Sequence, residues 1–348
     1  MEPLSIEEAR GFWEPAGTYL NTATYGLPPR PAWDALQAAL DDWRGGRTSF
    51  EHWDEAVEVA RGSFARLTSV SAGDVAVGAN VSGLLGLIAA SVPDGTRVLL
   101  PDIEFTSVLF PFLVQERRGV EVRLVPVGDL AEAIGPDTDL VAFSAVQMAT
   151  GEVADLDAIV AAAEQHDAKT VVDATQALGW LPLDASRFDA VAVAAYKWLM
   201  CPRGTAFMTI RPERLEEVAP HAAGWFATPD VHGDYFGPPL RLAESARRLD
   251  TSPAWYPWVA TAATLEVIER IGVESIHAHD VALANAFRAG LGLDPGDSAI
   301  AVSDAPGAAE RLARAGIRAA VRGGRLRTSW HVYNTPADVA ATLAALGD

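Results

Sequence analysis

The sequence predicts an α/β protein, with a mostly parallel central sheet covered by helices and a small C-terminal α+β domain. Three observations predict it. Short apolar runs alternate with segments of helical spacing as far as about residue 210. The runs are near-continuously apolar, which is the pattern of strands buried on both faces of a parallel sheet. Beyond residue 210 the alternation gives way to a stretch rich in Gly, Pro and aromatics, and then to a second, shorter set of elements.

In order, DVAVGA (74–79) reads as a short strand and VSGLLGLIAASV after it as a helix. RVLLPDI (97–103) is a strand followed by a helical stretch through Gln115 and Glu116. EVRLVPV (121–127) and LVAFSAV (140–146) are strands, DLDAIVAAAEQHD (155–167) a helix, and KTVVDA (169–174), AVAVAA (190–195) and TAFMTI (205–210) strands again. Residues 220–258 read as long ordered loops, with a helix from Trp258 to Ile271 after them. SAIAVSD (298–304), PGAAERLARAG (306–316), IRAAVRGGRLRTSW (317–330) and PADVAATLAAL (336–346) make the small domain. The expected division is an N-terminal segment 1–30 lining the active site, a large domain 31–255 and a small domain 256–348.

Composition excludes several classes. The 348 residues carry 27 Lys+Arg against 46 Asp+Glu, a net charge of −19 that repels phosphate backbones and anionic lipid, so neither nucleic acid nor membrane is an expected partner. A hydrophobic share of 49% is too high for a disordered chain. One cysteine makes no internal disulfide and fits a reducing compartment. The start, MEPLSIEEARGFW, has acids where a signal peptide needs a basic region, and Leu84–Val92 falls far short of the ~20 apolar residues that cross a bilayer. A cytoplasmic protein is expected.

In a parallel α/β sheet, ligands sit beyond the carboxyl ends of the strands. Four features fall there. Asp173 closes KTVVDA, where it is equally a helix cap. Lys197 follows the buried strand FDAVAVAAY, an unusual place for a lysine unless it snorkels. Asn80, Val81 and Ser82 open a helix after a strand, a junction that is either an anion site or an ordinary cap. Arg327 lies in LRTSWHVYNT near the C-terminus, where a solvated arginine is the plain alternative. Together they describe pyridoxal 5'-phosphate chemistry: a lysine for the aldehyde, an acid for the pyridine nitrogen, a phosphate cradle and a cation for a substrate carboxylate.

At these residues the chain resembles class V of the pyridoxal-phosphate aminotransferases. This group has fold type I and includes cysteine desulfurases, kynureninases, isopenicillin-epimerase-like proteins and ergothioneine C–S lyases. The resemblance runs from YLNTATYGLPP (19–29) to RTSWHVYNTPADV (327–339) and is strongest in FDAVAVAAYKWLMCPRGTAFM (188–208), which is similar to the family's lysine signature. Tyr196 stands where desulfurases usually carry His and kynureninase-like members carry Tyr.

The resemblance implies a covalent link to the cofactor at Lys197, a pyridinium partner in Asp173 and a phenolic-oxygen donor in Gln176. Phe105 in IEFTSVL would stack on the pyridine ring, and Gln147 in SAVQMATGE would meet the cofactor's edge. Asn80, Val81, Ser82 and the Tyr196 hydroxyl would hold the phosphate. Ser252 in LDTSPAWYPW would reach a neighbouring subunit's phosphate, so a homodimer with shared sites is expected. Arg327 would grip the substrate carboxylate.

A desulfurase of this class needs a cysteine shortly before that arginine. GIRAAVRGGRLRTSW has none, and Cys201 lies in the turn after Lys197, where it reads as structural. What remains is a Cα carbanion enzyme leaning to a C–S (β-)lyase, with an aminotransferase or epimerase as alternatives and a non-catalytic module of the same fold as a further one. The aromatics at 225, 226, 235, 236, 255, 256 and 258 read as interface packing rather than a substrate wall. Of seven scattered histidines only His277 and His279 are close, at an offset that points them apart on a helix, so no metal site is indicated.

Overall fold

The structure, a computed structural model, describes residues 2–48 and 50–347. Three helices come first, α1 (Ile6–Arg10), α2 (Arg30–Arg44) and α3 (Phe50–Leu67). The second and third are amphipathic helices on which the sequence reading placed no element. Strands and helices then alternate: β1 (Val75–Gly78), α4 (Val81–Ser91), β2 (Arg97–Pro101), α5 (Thr106–Leu113), β3 (Glu121–Val125), α6 (Leu130–Ala133), β4 (Leu140–Ser144), α7 (Leu156–His166), β5 (Lys169–Asp173), β6 (Ala190–Ala194) and β7 (Ala206–Ile210).

These seven strands form one sheet in the order β1-β7-β6-β5-β4-β2-β3. Only β7 runs against the rest, pairing antiparallel with both β1 and β6. The expected parallel sheet is therefore present, with one reversed strand. β6 shows why both faces are buried. Val191 and Val193 point into one apolar layer with Phe64, Trp180 and Trp258, while Ala190, Ala192 and Ala194 point into the other, where α4 packs closely over short side chains. Phe64 and Phe207 stack with ring centroids 4.2 Å apart, and burying each such ring contributes about 2–3 kcal/mol. β3 departs from the expectation of covered strands. It is one edge of the sheet, with Glu121, Arg123 and Leu124 exposed, because among the described residues no strand pairs with its outer side.

Past the loops, α8 (Trp255–Ile271) starts three residues earlier than expected, with Pro257 in its first turn, where the missing N–H has no intrahelical acceptor to lose. It packs along α2 and α3. α9 (Val273–Gly290) follows Gly272, whose φ of +85° separates the two helices. The last elements are β8 (Ile300–Ser303), α10 (Ala308–Arg314), β9 (Ala320–Arg322), β10 (Arg325–Ser329) and α11 (Pro336–Gly347), with β10 central in a small antiparallel sheet. Gly323 and Gly324, at φ of +56° and +80°, form the two-residue hairpin turn that glycine alone adopts without strain. No described helix is long and apolar enough to cross a membrane.

A buried ion pair ties the opposite edge strand, β1, to its surroundings. Arg61 on α3 lies 2.6 Å from Asp250, and donates to the Val75 carbonyl, while Asp250 accepts from the Val77 N–H at 2.7 Å. This fixes β1, and with it the entry to α4.

Candidate active site

Lys197 sits in the turn after β6 and is 7% exposed. Its neighbours grip the backbone there. The Gly26 N–H donates to the Tyr196 carbonyl at 2.9 Å, and a Cβ on Gly26 would stand 2.1 Å from the Lys197 carbonyl, so the N-terminal segment can cross this turn only as glycine. A Cβ on Gly179, at φ of +114°, would stand 2.5 Å from the Trp198 carbonyl oxygen. Burial pushes the Lys197 amine down to about 8; Asp173 opposes this, and Arg327, Arg322 and Arg203 add to it. The Nζ stands 5.5 Å from the centroid of the Phe105 ring and 5.8 Å from that of Tyr196.

Asp173 ends the adjacent strand, buried, with the Thr175 N–H on one carboxylate oxygen at 2.8 Å. Burial raises its pKa, and Lys197 pulls it back. Gln176 is buried three residues further on. Its amide oxygen accepts from the Trp198 indole at 2.8 Å, and its Nε2 donates to the Ala23 carbonyl at 2.9 Å. One N–H of Gln176 remains for a ligand.

Sequence reasoning missed Glu104. It lies beyond β2, directly before Phe105, and is 6% exposed. Its carboxylate accepts from the Ser144 N–H at 2.7 Å, the Ser144 hydroxyl at 2.5 Å, the Phe105 N–H at 2.7 Å and the Gln147 amide at 3.1 Å. Burial raises its pKa while these donors oppose the rise. One carboxylate thus sets the loops that carry both Phe105 and Gln147. An acid next to Phe105 at a strand end was the available signal.

At the end of β1, Asn80 acts as a helix cap. Its Oδ1 accepts from the Gly83 N–H at 2.8 Å and the Ser82 hydroxyl at 2.9 Å. Capping takes the third N–H of α4 and leaves the first two, those of Val81 and Ser82, facing outward at the positive end of the helix. The Tyr196 ring carries the Arg203 guanidinium at 4.9 Å. Ser252 is exposed and shares no hydrogen bond or ring contact with the other candidate residues.

Arg327 is 1% exposed on β10. It donates to the Met148 carbonyl at 2.8 Å and to the Thr24 hydroxyl at 2.7 Å, and its buried Nε has no partner. Burial pushes the guanidinium down to about 10, with Arg322 adding to the effect. Thr24 also receives Arg322 at 3.3 Å.

His331, set aside among the scattered histidines, lies against the Lys197 turn. Its Nδ1 is 2.7 Å from Asp280 on α9 and its Nε2 3.0 Å from the Trp198 carbonyl, with both side chains fully buried. A carbonyl only accepts, so Nε2 carries a proton. The aromatics of 225–258 do not wall the site. Trp255 and Tyr256 pack on Trp53, and Phe236 is 88% exposed. Cys201 is buried, its thiol pushed up to about 12 by desolvation. An apolar cavity of about 290 Å³ lies at the other end of the strands, by the amino ends of β4, β5 and β6, and its rim charges pair with one another as Lys169–Glu217 and Arg214–Asp189.

Residues 29–313 match the family Aminotransferase class-V. An isopenicillin N epimerase of Streptomyces clavuligerus is 30% identical over 83% of this chain and 79% of its own. A probable cysteine desulfurase of Streptomyces coelicolor is 27% identical over 76% of this chain and 69% of its own. Among solved structures, a lysine-to-alanine variant of the protein C-DES, with glycine linked to its pyridoxal-phosphate cofactor, superposes with a TM-score of 0.87 at 22% identity, covering 99% of each chain.

Proposed function

Because the chain belongs to the class-V aminotransferase family and is thereby a pyridoxal-phosphate enzyme, we propose that its reaction is cleavage of a Cβ–S bond in an α-amino acid. The residues present fit the cofactor. A buried amine stands beside a buried carboxylate and next to the ring of Phe105, helix N–H groups are free at the end of β1, and Arg327 keeps a buried N–H without a partner. In this reading Lys197 binds the aldehyde, Asp173 the pyridine nitrogen, Gln176 the phenolic oxygen and Phe105 the ring face, with Gln147 at its edge. Asn80, Val81, Ser82 and the Tyr196 hydroxyl take the phosphate, with Ser252 of a second copy of the chain completing it.

When bound, the cofactor supplies an electron sink that acidifies the Cα–H of the substrate. The chain's own contribution is then positioning and proton movement. Arg327 fixes the α-carboxylate, and the Lys197 Nζ, in its neutral form, takes the Cα proton; burial lowers its pKa to about 8 and so brings that form within reach of working pH. The thiolate leaves Cβ with its electron pair. The single observation that favours elimination over epimerisation, which needs a second base on the opposite face of Cα, is the lone base. Among the described residues, the charged groups acting on Lys197 are Asp173, which this reading commits to the ring nitrogen, and three arginines, which do not release protons. The buried Cys201 thiol also removes the route through a protein persulfide. Incubating the purified enzyme with cysteine, cystine and S-substituted cysteines should release a 2-keto acid and ammonia without any added keto acid. Turnover that depends on a keto-acid acceptor would instead establish an aminotransferase.

The second reading is epimerisation at Cα, favoured by the 30% identity to the isopenicillin N epimerase. Loss of optical activity with no keto acid formed would select it. The exposed Ser252, Phe236 and Leu240 support a homodimer, and light scattering should give about twice the chain mass of 36.9 kDa.

A further inference from the structure

We infer that Arg322 binds a second negative group of the substrate, so that the enzyme acts on amino acids whose side chain carries a carboxylate or a comparable anion. The inference rests on the reading of Arg327 as the α-carboxylate site and adds a substrate class to it.

The argument starts from the hairpin of β9 and β10. Arg322 pairs across it with Arg325, and Ala320 with Arg327. Arg322 and Arg327 are therefore diagonal neighbours on one face, a spacing that long side chains bridge. They do bridge it, because both guanidinium groups donate to the same Thr24 hydroxyl, at 3.3 and 2.7 Å. Two like charges on one hydroxyl repel, and the Arg322 charge adds to the burial that lowers the preference of Arg327 for its charged form. Arg325, on the same face, has its charge met by Asp304 at 2.8 Å. No such partner exists for Arg322 or Arg327 among the described residues.

The charge balance of the site sharpens this. The chain has a net charge of −19, and most of its arginines sit on acids. Around Lys197 the balance reverses: Arg203, Arg322 and Arg327 face one carboxylate, Asp173. Arg203 lies over Tyr196, on the side assigned to the cofactor phosphate, and Arg327 is assigned to the α-carboxylate. Arg322 is left over. It is half-buried, beside the substrate arginine, and anchored by its other amino group only to the Val321 carbonyl at 2.8 Å. A planar guanidinium in that position is matched by a second carboxylate rather than by an apolar side chain.

The test compares acids with their amide isosteres on the holoenzyme, reading dissociation constants from calorimetry and from perturbation of the cofactor's visible band. Suitable pairs are L-glutamate with L-glutamine and S-carboxymethyl-L-cysteine with S-carbamoylmethyl-L-cysteine. In at least one pair the acid should bind about tenfold or more tightly than the amide. In Arg322→Gln that ratio should fall close to one, and Arg322→Lys should restore part of it. Arg327→Gln should weaken acid and amide alike. Equal binding within every pair by the unaltered enzyme overturns the inference while leaving the amino-acid reading intact. So does an Arg322→Gln variant, with unchanged melting temperature, that weakens acid and amide equally. If no amino acid of either kind perturbs the band, the amino-acid reading itself fails and takes the inference with it.

Discussion

The imidazole Nε2 of His331 stands 3.0 Å from the main-chain carbonyl of Trp198, the residue that directly follows Lys197. Through Asp280 this contact anchors the lysine turn to α9, and the Trp198 indole passes the anchorage on to Gln176. The hydrogen bonds of the His331 ring go to Asp280 and to the Trp198 carbonyl, so the role assigned to it is positioning. His331→Phe should lower kcat about tenfold or more with little change in KM, since small misplacements of a catalytic group are costly. Asp280→Asn should lose much less, because its amide can donate to Nδ1 and leave the Nε2 proton for Trp198. Equal losses in the two variants would mean that charge, not position, is what the pair provides.

The depressed pKa of Lys197 predicts a pH dependence. The amine is protonated below about 8 and neutral above it, and only the neutral form attacks an aldehyde. The rate at which cofactor-free protein captures pyridoxal phosphate should therefore rise with pH through a midpoint near 8. A midpoint near 10.4, the ordinary lysine value, would show that burial does not shift this amine.

Cys201→Ser should retain most activity on whatever substrate is found. The thiol is buried against the Leu199 carbonyl at 3.2 Å, and desolvation holds it protonated at any working pH. Sulfur release that disappears in a folded, cofactor-loaded Cys201→Ser protein would restore the desulfurase reading.

Asp250→Ala should destabilise the chain by about 3–5 kcal/mol, because it leaves the Arg61 charge buried and unpaired and the Val77 N–H without its acceptor. Replacing both partners by apolar residues should cost less. Thermal unfolding of the three proteins measures the difference, and a single variant with an unchanged melting temperature would refute it.

The sheet was readable because its strands are apolar on both faces and bounded by turn residues, as in KTVVDA and AVAVAA. The reversal of β7 was not, since direction is set by the connection and not by a strand's own residues. Lys197 and Asp173 stood out as polar groups ending buried strands, and the structure brings them close enough for each to shift the other's pKa. Glu104 and His331 were missed for the opposite reason. They act on backbone and side chains from distant segments, and nothing in EFTSV or SWHVYN announces a partner 40 residues or more away. Asn80 illustrates a false opposition, because its capping of α4 is what leaves the first two N–H groups of that helix free.

The central claim is that Lys197 holds the cofactor. Lys169 and Lys197 are the only lysines in the sequence, and they lie at opposite ends of the neighbouring strands β5 and β6, with Lys169 paired to Glu217. Borohydride reduction of the purified holoenzyme followed by peptide mapping therefore has two possible targets. The label should appear on the peptide that contains Lys197 and be absent from the one that contains Lys169. A label on Lys169, or on neither, would contradict the account.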